Sequence, residues 1–321
     1  MISVLMTTYN CAPYISQAIK SILNQTYNKF ELLIIDDGSA DNTEQQVKKF
    51  TDPRVRYSKL EHQGRSSALN LGLEKAKHEI ISIMDADDIA HPQKLEKQIS
   101  QFSGKENEIC FSDAAYFYND KIKYVNQNRF KGNEMKETLA LHGHFTNSTF
   151  MFYKNFIIKN GVYNKSINIG EDYDLWLRIK DESSFIFVNE ILQFVRIRND
   201  SLMNSDKKKS ISSIYNIQKP YYNDLKFFFN IVDKQKQNEI SGWREFFYGD
   251  KNLSRIYWSK IDISSWRSKM FFAFIISFFP ISFVKKFKDQ KIILRIRYIF
   301  SCTVQKSELN SVFKQVLKDV A

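Results

Sequence analysis

The sequence predicts an α/β fold, in which a mainly parallel sheet with flanking helices is followed by a mostly helical, basic region. Through the first 113 residues, short apolar runs alternate with helical patterns of about ten residues, which is typical of successive βαβ units. The 321 residues are 43% hydrophobic and 15% aromatic, with 10 Gly and 5 Pro, which supports a sizeable core and excludes collagen-like, low-complexity and disordered chains. Ligands of such sheets bind at the carboxyl ends of the strands, so the chemistry is expected in those loops.

The elements follow from local patterns along the chain. Short apolar runs predict strands at Ile2–Met6, Glu31–Ile35, Val55–Tyr57, Ile80–Met84, Glu108–Ser112, Phe150–Phe152 and Phe185–Val188. Helical spacing predicts helices at Tyr14–Leu23, Asp41–Phe50, Ser66–Ala76, Pro92–Phe102 and Asp172–Lys180. The polar stretch 199–210, which ends in Lys207, Lys208 and Lys209, is a predicted linker. We therefore expect a first domain over residues 1–204 and a helical, basic region over residues 205–321.

The positive charge is concentrated in the last third of the chain. The net charge is +11, yet residues 1–204 hold 25 basic and 26 acidic side chains, whereas residues 205–321 hold 22 and 10. Such asymmetry suggests a polyanionic partner. No RNP, zinc-finger or helix-turn-helix signature is present, and the Phe and Ile runs favour an anionic membrane surface over nucleic acid.

The segment Trp266–Lys288 is the strongest candidate for membrane contact. Its stretch Met270–Val284 is almost wholly apolar over 15 residues, is interrupted by Pro280 and has basic residues on both sides. Because a spanning helix requires roughly 18–20 apolar residues, an interfacial helix or hairpin is the favoured interpretation. A buried core helix or a dimer seam is the alternative, and the oligomeric state is left open.

The cysteines and the start of the chain indicate the compartment. Cys11, Cys110 and Cys302 are far apart and form no CxxC motif, which disfavours a disulfide scaffold and a structural zinc site. The first residues lack the basic segment of a signal peptide. We expect a cytoplasmic protein that is peripheral on the inner face of the plasma membrane.

Paired acids end two of the predicted strands. Asp36 and Asp37 follow one apolar run, and Asp85, Asp87 and Asp88 follow another. Clustered carboxylates repel each other unless a cation neutralises them, and Mg²⁺ or Mn²⁺ prefers such oxygen ligands and shares them with substrate phosphates. The alternative is a solvated turn in which Asp88 caps the helix that starts near Pro92.

These motifs, in this order, resemble the family 2 inverting glycosyltransferases, which have a GT-A fold. The resemblance covers roughly residues 1–200 and rests on the segments SVLMTTYN, FELLIIDDGSADNT, GRSSALNLGLEKAKHEIISIMDADD and GEDYDLWLR. It implies that the donor is a nucleotide-diphosphate sugar, with a UDP-sugar expected, and that the D-x-D motif holds a divalent cation. No GxGxxG motif follows the first strand, so the likeness to dinucleotide-binding dehydrogenases is only architectural.

The resemblance assigns roles to individual residues. The metal ligands are Asp87 and Asp85, and the remaining donor contacts are Thr7, Thr8, Tyr9, Asp37, Arg65 and Arg198, with Tyr9 stacking on the base. Asp36 is expected to support its loop, and Gly38 allows a sharp turn. The family usually has Pro at position 7 and His at position 198, so this chain departs at both. A surface position for Arg65 and a core position for Tyr9 remain the alternatives.

The acids Glu171 and Asp172 match the catalytic motif of the family. An inverting transfer requires one general base that takes the proton of the acceptor hydroxyl. Asp172 is the predicted base, with Glu171 as the alternative; an amphipathic helix with an acidic first turn would also explain both. Weaker candidates are His91 as a further metal ligand, Arg196 as a phosphate contact, and Asn147 and Ser148 on the acceptor side.

The sequence therefore predicts an inverting glycosyltransferase that moves a hexosyl or N-acetylhexosaminyl group from its donor to a hydroxyl of a glycan or lipid-linked acceptor. Surface polysaccharide synthesis, such as O-antigen or capsule assembly, is the expected setting. Two alternatives stay open at this point. The first is a catalytically silent membrane scaffold that binds sugar nucleotides, which the departures at Thr7 and Arg198 would permit. The second is a nucleotidyltransferase.

Overall fold

The computed structural model describes residues 1–126, 145–198, 207–222, 251–262 and 306–320, and the single positions 136, 139, 235, 238, 241, 242, 245, 246 and 274. The chain divides into two compact units. The first comprises Met1–Lys131, Phe145–Ser201 and Ser301–Ala321, and the second comprises Gly132–His144 and Leu202–Phe300.

One sheet forms the centre of the first unit. Its strands are β1 (Ile2–Thr8), β2 (Phe30–Asp36), β3 (Val55–Lys59), β4 (Ile80–Asp85), β5 (Ile89–Ala90), β6 (Glu108–Tyr118), β7 (Lys121–Asn126), β8 (Met151–Tyr153) and β9 (Ser184–Arg196). Their order is β3-β2-β1-β4-β8-β6-β9-β5, and β7 pairs with β6. Its helices are α1 (Ile15–Leu23), α2 (Thr43–Val47), α3 (Arg65–Lys75), α4 (Lys94–Ile99), α5 (Lys154–Lys159), α6 (Glu171–Ile179) and, after the second unit, α9 (Lys306–Val320).

The sheet is mixed rather than mainly parallel. Strands β1 to β4 pair in parallel, as predicted from the βαβ pattern. Beyond β4, however, β8 pairs antiparallel with both β4 and β6, and only the β6–β9 pair is again parallel. The segments that join β6, β8 and β9 therefore do not follow the βαβ rule on which the prediction rested.

The order of the parallel strands reverses between β1 and β4. The chain moves outward from β1 through β2 to β3 and then returns to β4 on the other side of β1. Thr8 is in register with Asp36, and Thr7 is in register with Asp85, so the predicted motifs share one edge of the sheet. This reversal of strand order is where open α/β sheets bind their ligands.

Aromatic packing fixes helix α6 against the sheet. Trp176 is buried and stacks on Phe150 with ring centroids 4.3 Å apart, and its edge meets Phe152 at 5.7 Å. Large buried aromatics contribute strongly to core stability, so this contact holds the start of the helix, with Glu171 and Asp172, at the edge that carries the acidic strand ends.

The last helix belongs to the first unit, although the predicted boundary at residue 204 assigns it to the basic region. Phe313 of α9 is buried against Phe117 and Phe194, with ring centroids 4.8 Å from each, and Asn24 Nδ2 donates to the backbone oxygen of Asp319. Helix α9 therefore completes the core of the first unit on this side of the sheet.

In the second unit, the structure describes α7 (Lys207–Gln218), a 3-10 turn (Lys219–Tyr222) and α8 (Lys251–Trp258). Trp258 is buried against Phe246 and Phe274. The end of the predicted linker is helical, because α7 begins at Lys207. The predicted interfacial segment 266–288 lies outside the described residues apart from Phe274, and no described helix has the length and apolar character that crossing a membrane requires.

Candidate active site

The loop after β2 is built around Asp36. Its buried carboxylate accepts hydrogen bonds from the backbone N–H of Ser39 (2.7 Å) and from the hydroxyl of Tyr57 (2.7 Å). Gly38 has a φ of +80°, and a Cβ there would lie 2.8 Å from the backbone nitrogen of His62. Asp36 thus supports the loop, and only glycine fits the turn that brings residue 38 against the 60–64 loop.

Asp37 holds the loop that leads into α3. Its carboxylate accepts from the backbone N–H groups of Gln63 (2.9 Å) and Gly64 (2.9 Å) and pairs with His62 Nδ1 (2.8 Å). Asp37 is only 3% exposed. These contacts take up most of the hydrogen-bonding capacity of the Asp37 carboxylate. The contact of this acid with a base or ribose stays a prediction.

An aromatic pair lies at the end of β1. Thr7 and Thr8 are buried, whereas Tyr9 is 46% exposed and stacks on the ring of His62 at 4.3 Å with an interplanar angle of 19°. The core position considered for Tyr9 is therefore wrong. A flat, partly exposed ring beside Asp37 is suited to stacking on a nucleobase.

Arg65 joins the two predicted halves of the site. It is the first residue of α3, and its guanidinium donates from Nη2 to Asp85 Oδ1 (2.5 Å) and from Nη1 to Glu171 Oε1. Asp85 ends β4, and Glu171 begins α6. The ion pairs therefore bring together acids that are 86 positions apart in the sequence, and Arg65 is not an isolated surface residue.

Asp87 and Asp88 follow the end of β4. Asp87 Oδ2 pairs with Arg198 Nη1 at 3.1 Å, and burial together with the Asp85 carboxylate raises the pKa of Asp87. Asp88 accepts from the hydroxyl of Ser148 (2.7 Å) and from the backbone N–H of Arg196 (3.0 Å). Asp88 is buried and does not cap α4, so the solvated-turn alternative is wrong for this residue.

The two arginines after β9 differ in their contacts. Arg196 donates to the backbone oxygen of Asp87 (2.9 Å) and to Gln17 (2.8 Å), and its guanidinium lies 4.5 Å from the centre of the Phe117 ring. Arg198 contacts the carboxylate of Asp87 and also the Cys11 sulfur at 3.5 Å. Arg196 therefore braces the loop, whereas Arg198 brings a positive charge to the D-x-D carboxylates.

Asp172 occupies the first turn of α6, after Gly170 in a left-handed conformation with φ of +86°. Burial, and then the neighbouring Glu171 carboxylate, raise the pKa of Asp172 to about 7, although the Arg65 charge lowers it. Among the hydrogen bonds of the described residues, Asp172 Oδ1 accepts one, from the backbone N–H of Tyr173 at 2.8 Å. A carboxyl group that titrates near neutrality can both take up and release a proton at physiological pH.

A buried lysine that the sequence analysis did not identify supports this edge. Lys94 of α4 is fully buried, and its Nζ donates to the backbone oxygens of Ile83 and Ser148 and to Gln193 Oε1 (3.1 Å). Burial lowers the pKa of Lys94 to about 7, against the opposing charges of Asp88 and Asp85. A lysine in a short helix normally faces solvent, so the sequence does not predict that Lys94 is buried. The one relevant cue is that Lys94 lies four positions before Gln98 and therefore on the same face of the helix, which the structure shows to be buried.

The weaker candidates fall into supporting positions. His91 accepts from the backbone N–H of Gln93 (3.2 Å), and its own backbone pairs with Leu192, so it is part of the packing around β5. Ser148 is bound to Asp88, and Asn147 is buried in the 3-10 turn Asn147–Thr149. The predicted acceptor contacts of Asn147 and Ser148 remain untested.

Asp85 and Asp87 are the residues that fit a divalent cation. Among the described residues, no group of three or more His, Cys, Asp and Glu side chains could hold a metal ion. Two carboxylates at a strand end nevertheless match the way Mg²⁺ binds in phosphate-transfer sites, where phosphate and water oxygens complete the shell. Burial, and then the Asp85 carboxylate, raises the pKa of Asp87, and a bound divalent cation would favour its charged form.

Comparisons with known proteins identify the family. The family model for glycosyl transferase family 2 matches residues 3–166. The O-antigen biosynthesis glycosyltransferase WbnJ of Escherichia coli is 36% identical over 212 residues, which cover 64% of this chain and 83% of WbnJ. The UDP-Glc:alpha-D-GlcNAc-diphosphoundecaprenol beta-1,3-glucosyltransferase WfgD of Escherichia coli is 31% identical over 199 residues, 59% of this chain and 73% of WfgD.

Solved structures share the fold at low sequence identity. TarS 1–349 of S. aureus in complex with UDP-GlcNAc matches with a TM-score of 0.60 at 17% identity. The match covers 99% of this chain and 91% of the TarS chain. The mannosyltransferase PcManGT of Pyrobaculum calidifontis with GDP-Man and Mn²⁺ has a TM-score of 0.56 at 12% identity and covers 99% and 85%.

The fold and the acidic edge define a sugar-transferring enzyme of the GT-A type. The chain belongs to glycosyl transferase family 2. It is a glycosyltransferase, and the membership removes the support for a nucleotidyltransferase.

Proposed function

We propose that this glycosyltransferase transfers a sugar from a UDP-sugar, with inversion, to a hydroxyl of a lipid-linked glycan during surface polysaccharide synthesis. The observation that carries the proposal is the Arg65 bridge, which joins the strand-end acid Asp85 to the α6 acid Glu171. The names of WbnJ and WfgD support O-antigen synthesis and a diphosphoundecaprenol-linked acceptor.

In the proposed reaction Asp172 is the general base. The acceptor O–H bond breaks and its proton passes to the Asp172 carboxylate, while the acceptor oxygen forms a bond to the anomeric carbon. The bond from that carbon to the diphosphate oxygen breaks, and the nucleoside diphosphate leaves. Attack on the face opposite the leaving group inverts the configuration. The pKa of Asp172 near 7 supports this role, because the proton can be taken up near neutral pH.

Glu171, the alternative base, is buried and paired with Arg65, so its proposed role is to hold that arginine. Arg65 and Arg198 bring two positive charges to the Asp85 and Asp87 carboxylates, where a donor diphosphate would need them. Asp85 and Asp87 would hold Mg²⁺ or Mn²⁺, which when bound would neutralise charge on the departing diphosphate. The Mn²⁺ in the PcManGT complex supports a divalent cation.

Two substitutions separate the donor side from the base. We expect Asp87→Ala to lose the cation-dependent part of UDP-sugar binding in titration calorimetry. We expect Asp172→Asn to bind the donor within about threefold of the unmodified enzyme but to transfer sugar at least 10²-fold more slowly, because the amide cannot accept the proton. Asp181→Asn, which changes an acid past the end of the same helix, is the matched control and should leave both quantities unchanged.

The outcomes distinguish the remaining alternatives. Transfer by Asp172→Asn at the unmodified rate would show that the base assignment is wrong. Donor binding without any nucleotide release by the unmodified enzyme, with acceptor present, would favour the scaffold.

We also propose that the chain is peripheral on the cytoplasmic membrane surface. The support is the charge of the last third and the apolar segment 270–284 flanked by basic residues.

A further inference from the structure

Helix α9 packs behind the loop that carries the D-x-D acids. Ile89 directly follows Asp88 and belongs to the same buried cluster as Phe313 of α9. Ile89 also pairs with Phe194 in the sheet, and the Phe194 and Phe313 rings have centroids 4.8 Å apart. The residue at which the acidic loop rejoins the sheet is therefore fixed in a core that α9 completes.

A second path leads from α9 to the loop through Arg196. Phe313 packs on Phe117 with ring centroids 4.8 Å apart, and the Arg196 guanidinium lies 4.5 Å from the centre of the same Phe117 ring. Arg196 donates from Nε to the backbone oxygen of Asp87 (2.9 Å), and its backbone N–H donates to Asp88 Oδ1 (3.0 Å). Phe117 is fully buried, so Phe313 and Arg196 are packed against one fixed ring.

Arg196 is also held from the side of α1. Its guanidinium lies 4.9 Å from the centre of the Tyr14 ring, and its Nη2 donates to Gln17 Oε1 (2.8 Å). Protein interiors are close-packed and relax only partially when a large side chain is removed. Loss of the Phe313 ring would leave Phe117 without its support from α9, so that the loop bound to Arg196 would be held less rigidly.

We infer that Phe313 is a positioning residue for the donor side of the active site. Through Phe117 and Arg196 it holds the loop that carries the D-x-D acids. The inference rests on the proposed function, in which these acids hold the cation beside the donor diphosphate. Helix α9 lies outside residues 3–166, which match the family model, so this support comes from a part of the chain beyond that match. Because Asp172 lies on α6, we expect the effect in the KM for the donor rather than in kcat.

Hydrogen exchange of the full chain without ligand tests the positioning directly. The backbone amides of Asp88 and Ala90 are both hydrogen-bonded, so their exchange reports opening of the loop and of its return to the sheet. We expect Phe313→Ala to speed the exchange of these two amides at least about fivefold. Val312→Ala, at the neighbouring and 38% exposed position of α9, is the matched control and should leave their exchange unchanged.

Donor binding gives the functional readout. In titration calorimetry with UDP and Mn²⁺, we expect Phe313→Ala to bind UDP at least about fivefold more weakly than the unmodified enzyme. In a transfer assay the KM for the donor should rise by the same factor, while kcat stays within about twofold. Phe313→Leu keeps an apolar side chain against Phe117 and should give an intermediate loss. A merely structural role would instead lower the amount of folded enzyme, which reduces the apparent kcat and leaves KM unchanged.

A second control matches the loss of core packing. Ile157→Ala removes a fully buried side chain from α5, which begins beside the amino end of β4, where the backbone N–H of Lys154 donates to the backbone oxygen of Glu79. This variant should lower the melting temperature but keep the exchange of the loop amides and the affinity for UDP. Equal effects of Ile157→Ala and Phe313→Ala on these two quantities would overturn the inference.

The remaining outcomes also decide the matter. Loop exchange and UDP affinity that are unchanged in Phe313→Ala would overturn the inference and leave the proposed donor intact. If Phe313→Ala fails to fold, the same measurements on Phe313→Leu decide, and values equal to those of the unmodified enzyme would overturn it. Absence of UDP binding by the unmodified enzyme would overturn the proposed donor, while the exchange measurement would still test the positioning role.

Discussion

At the scale of single residues, the proposed transfer depends most on Asp172, the proposed general base. The motif matches Asp172 to the catalytic acid of the family, but it does not predict the pKa of the carboxyl group. That pKa depends on burial, on the neighbouring Glu171 and on Arg65, which comes from a distant part of the sequence. The same limit applies to Asp37, whose motif predicted a ligand contact while its surroundings show a carboxylate bound to its own loop.

The raised pKa of Asp172 predicts a pH dependence. Because the folded-state pKa is raised to about 7, the carboxyl group becomes protonated, and inactive as a base, as the pH falls through 7. We expect kcat/KM to fall about tenfold for each pH unit below about 6.5 and to level off above about 7.5. Initial rates in overlapping buffers, with calorimetric donor affinity at each pH as the control, measure this. A rate independent of pH between 5.5 and 8 would contradict the assignment.

Most elements could be predicted from local patterns, and the misses have identifiable causes. The apolar runs of β1, β2 and β4 are each interrupted by only one polar residue, so the predicted strands agree with the observed bounds to within two residues. Strand β9 was predicted only at Phe185–Val188, because Asn189 and Glu190 interrupt its apolar pattern. These two residues fall at a register shift, where Val188 pairs with Ser112 and Ile191 pairs with Asp113. A bulge of this kind is set by the neighbouring strand.

Helix α4 gives the prediction that belongs to the element scale. Lys94→Met would leave the backbone oxygens of Ile83 and Ser148 and the side chain of Gln193 without their common donor in a dry interior. We expect a loss of about 2–4 kcal/mol in the free energy of unfolding, measured by denaturant titration. Lys97→Met, on the same helix, removes an ion pair with the exposed Glu190 and should change the stability by less than about 1 kcal/mol. Equal effects of the two variants would contradict the structural role of Lys94.

The organisation of the whole molecule was the part least accessible to sequence reasoning. Long-range pairing decides that β8 lies between β4 and β6, and no local signal encodes it. Composition alone placed α9 in the basic region, yet Phe313 packs on Phe117 and Phe194 in the first unit. Truncation of the last sixty residues would therefore remove part of the core and could not test membrane binding by itself.

Charge substitutions test the membrane proposal without removing α9. We expect the triple substitution of Lys285, Lys286 and Lys288 to Gln to weaken binding to vesicles containing anionic lipid at least about tenfold, because each basic residue near such a surface contributes about 1 kcal/mol. Substitution of Lys48, Lys49 and Lys77 to Gln removes the same charge from the first unit and is the matched control. Unchanged sedimentation of the first variant with vesicles at low salt would contradict the proposal.

One site unites the D-x-D acids Asp85 and Asp87 with the start of α6, through Arg65. The most direct measurement is a crystal structure of the enzyme with UDP and Mn²⁺. We predict that the diphosphate lies beside Asp85, Asp87 and Arg65, and that the Asp172 carboxylate faces the side from which an acceptor hydroxyl would approach. A nucleotide bound away from the end of β4, or an Asp172 that faces away from the diphosphate, would contradict it.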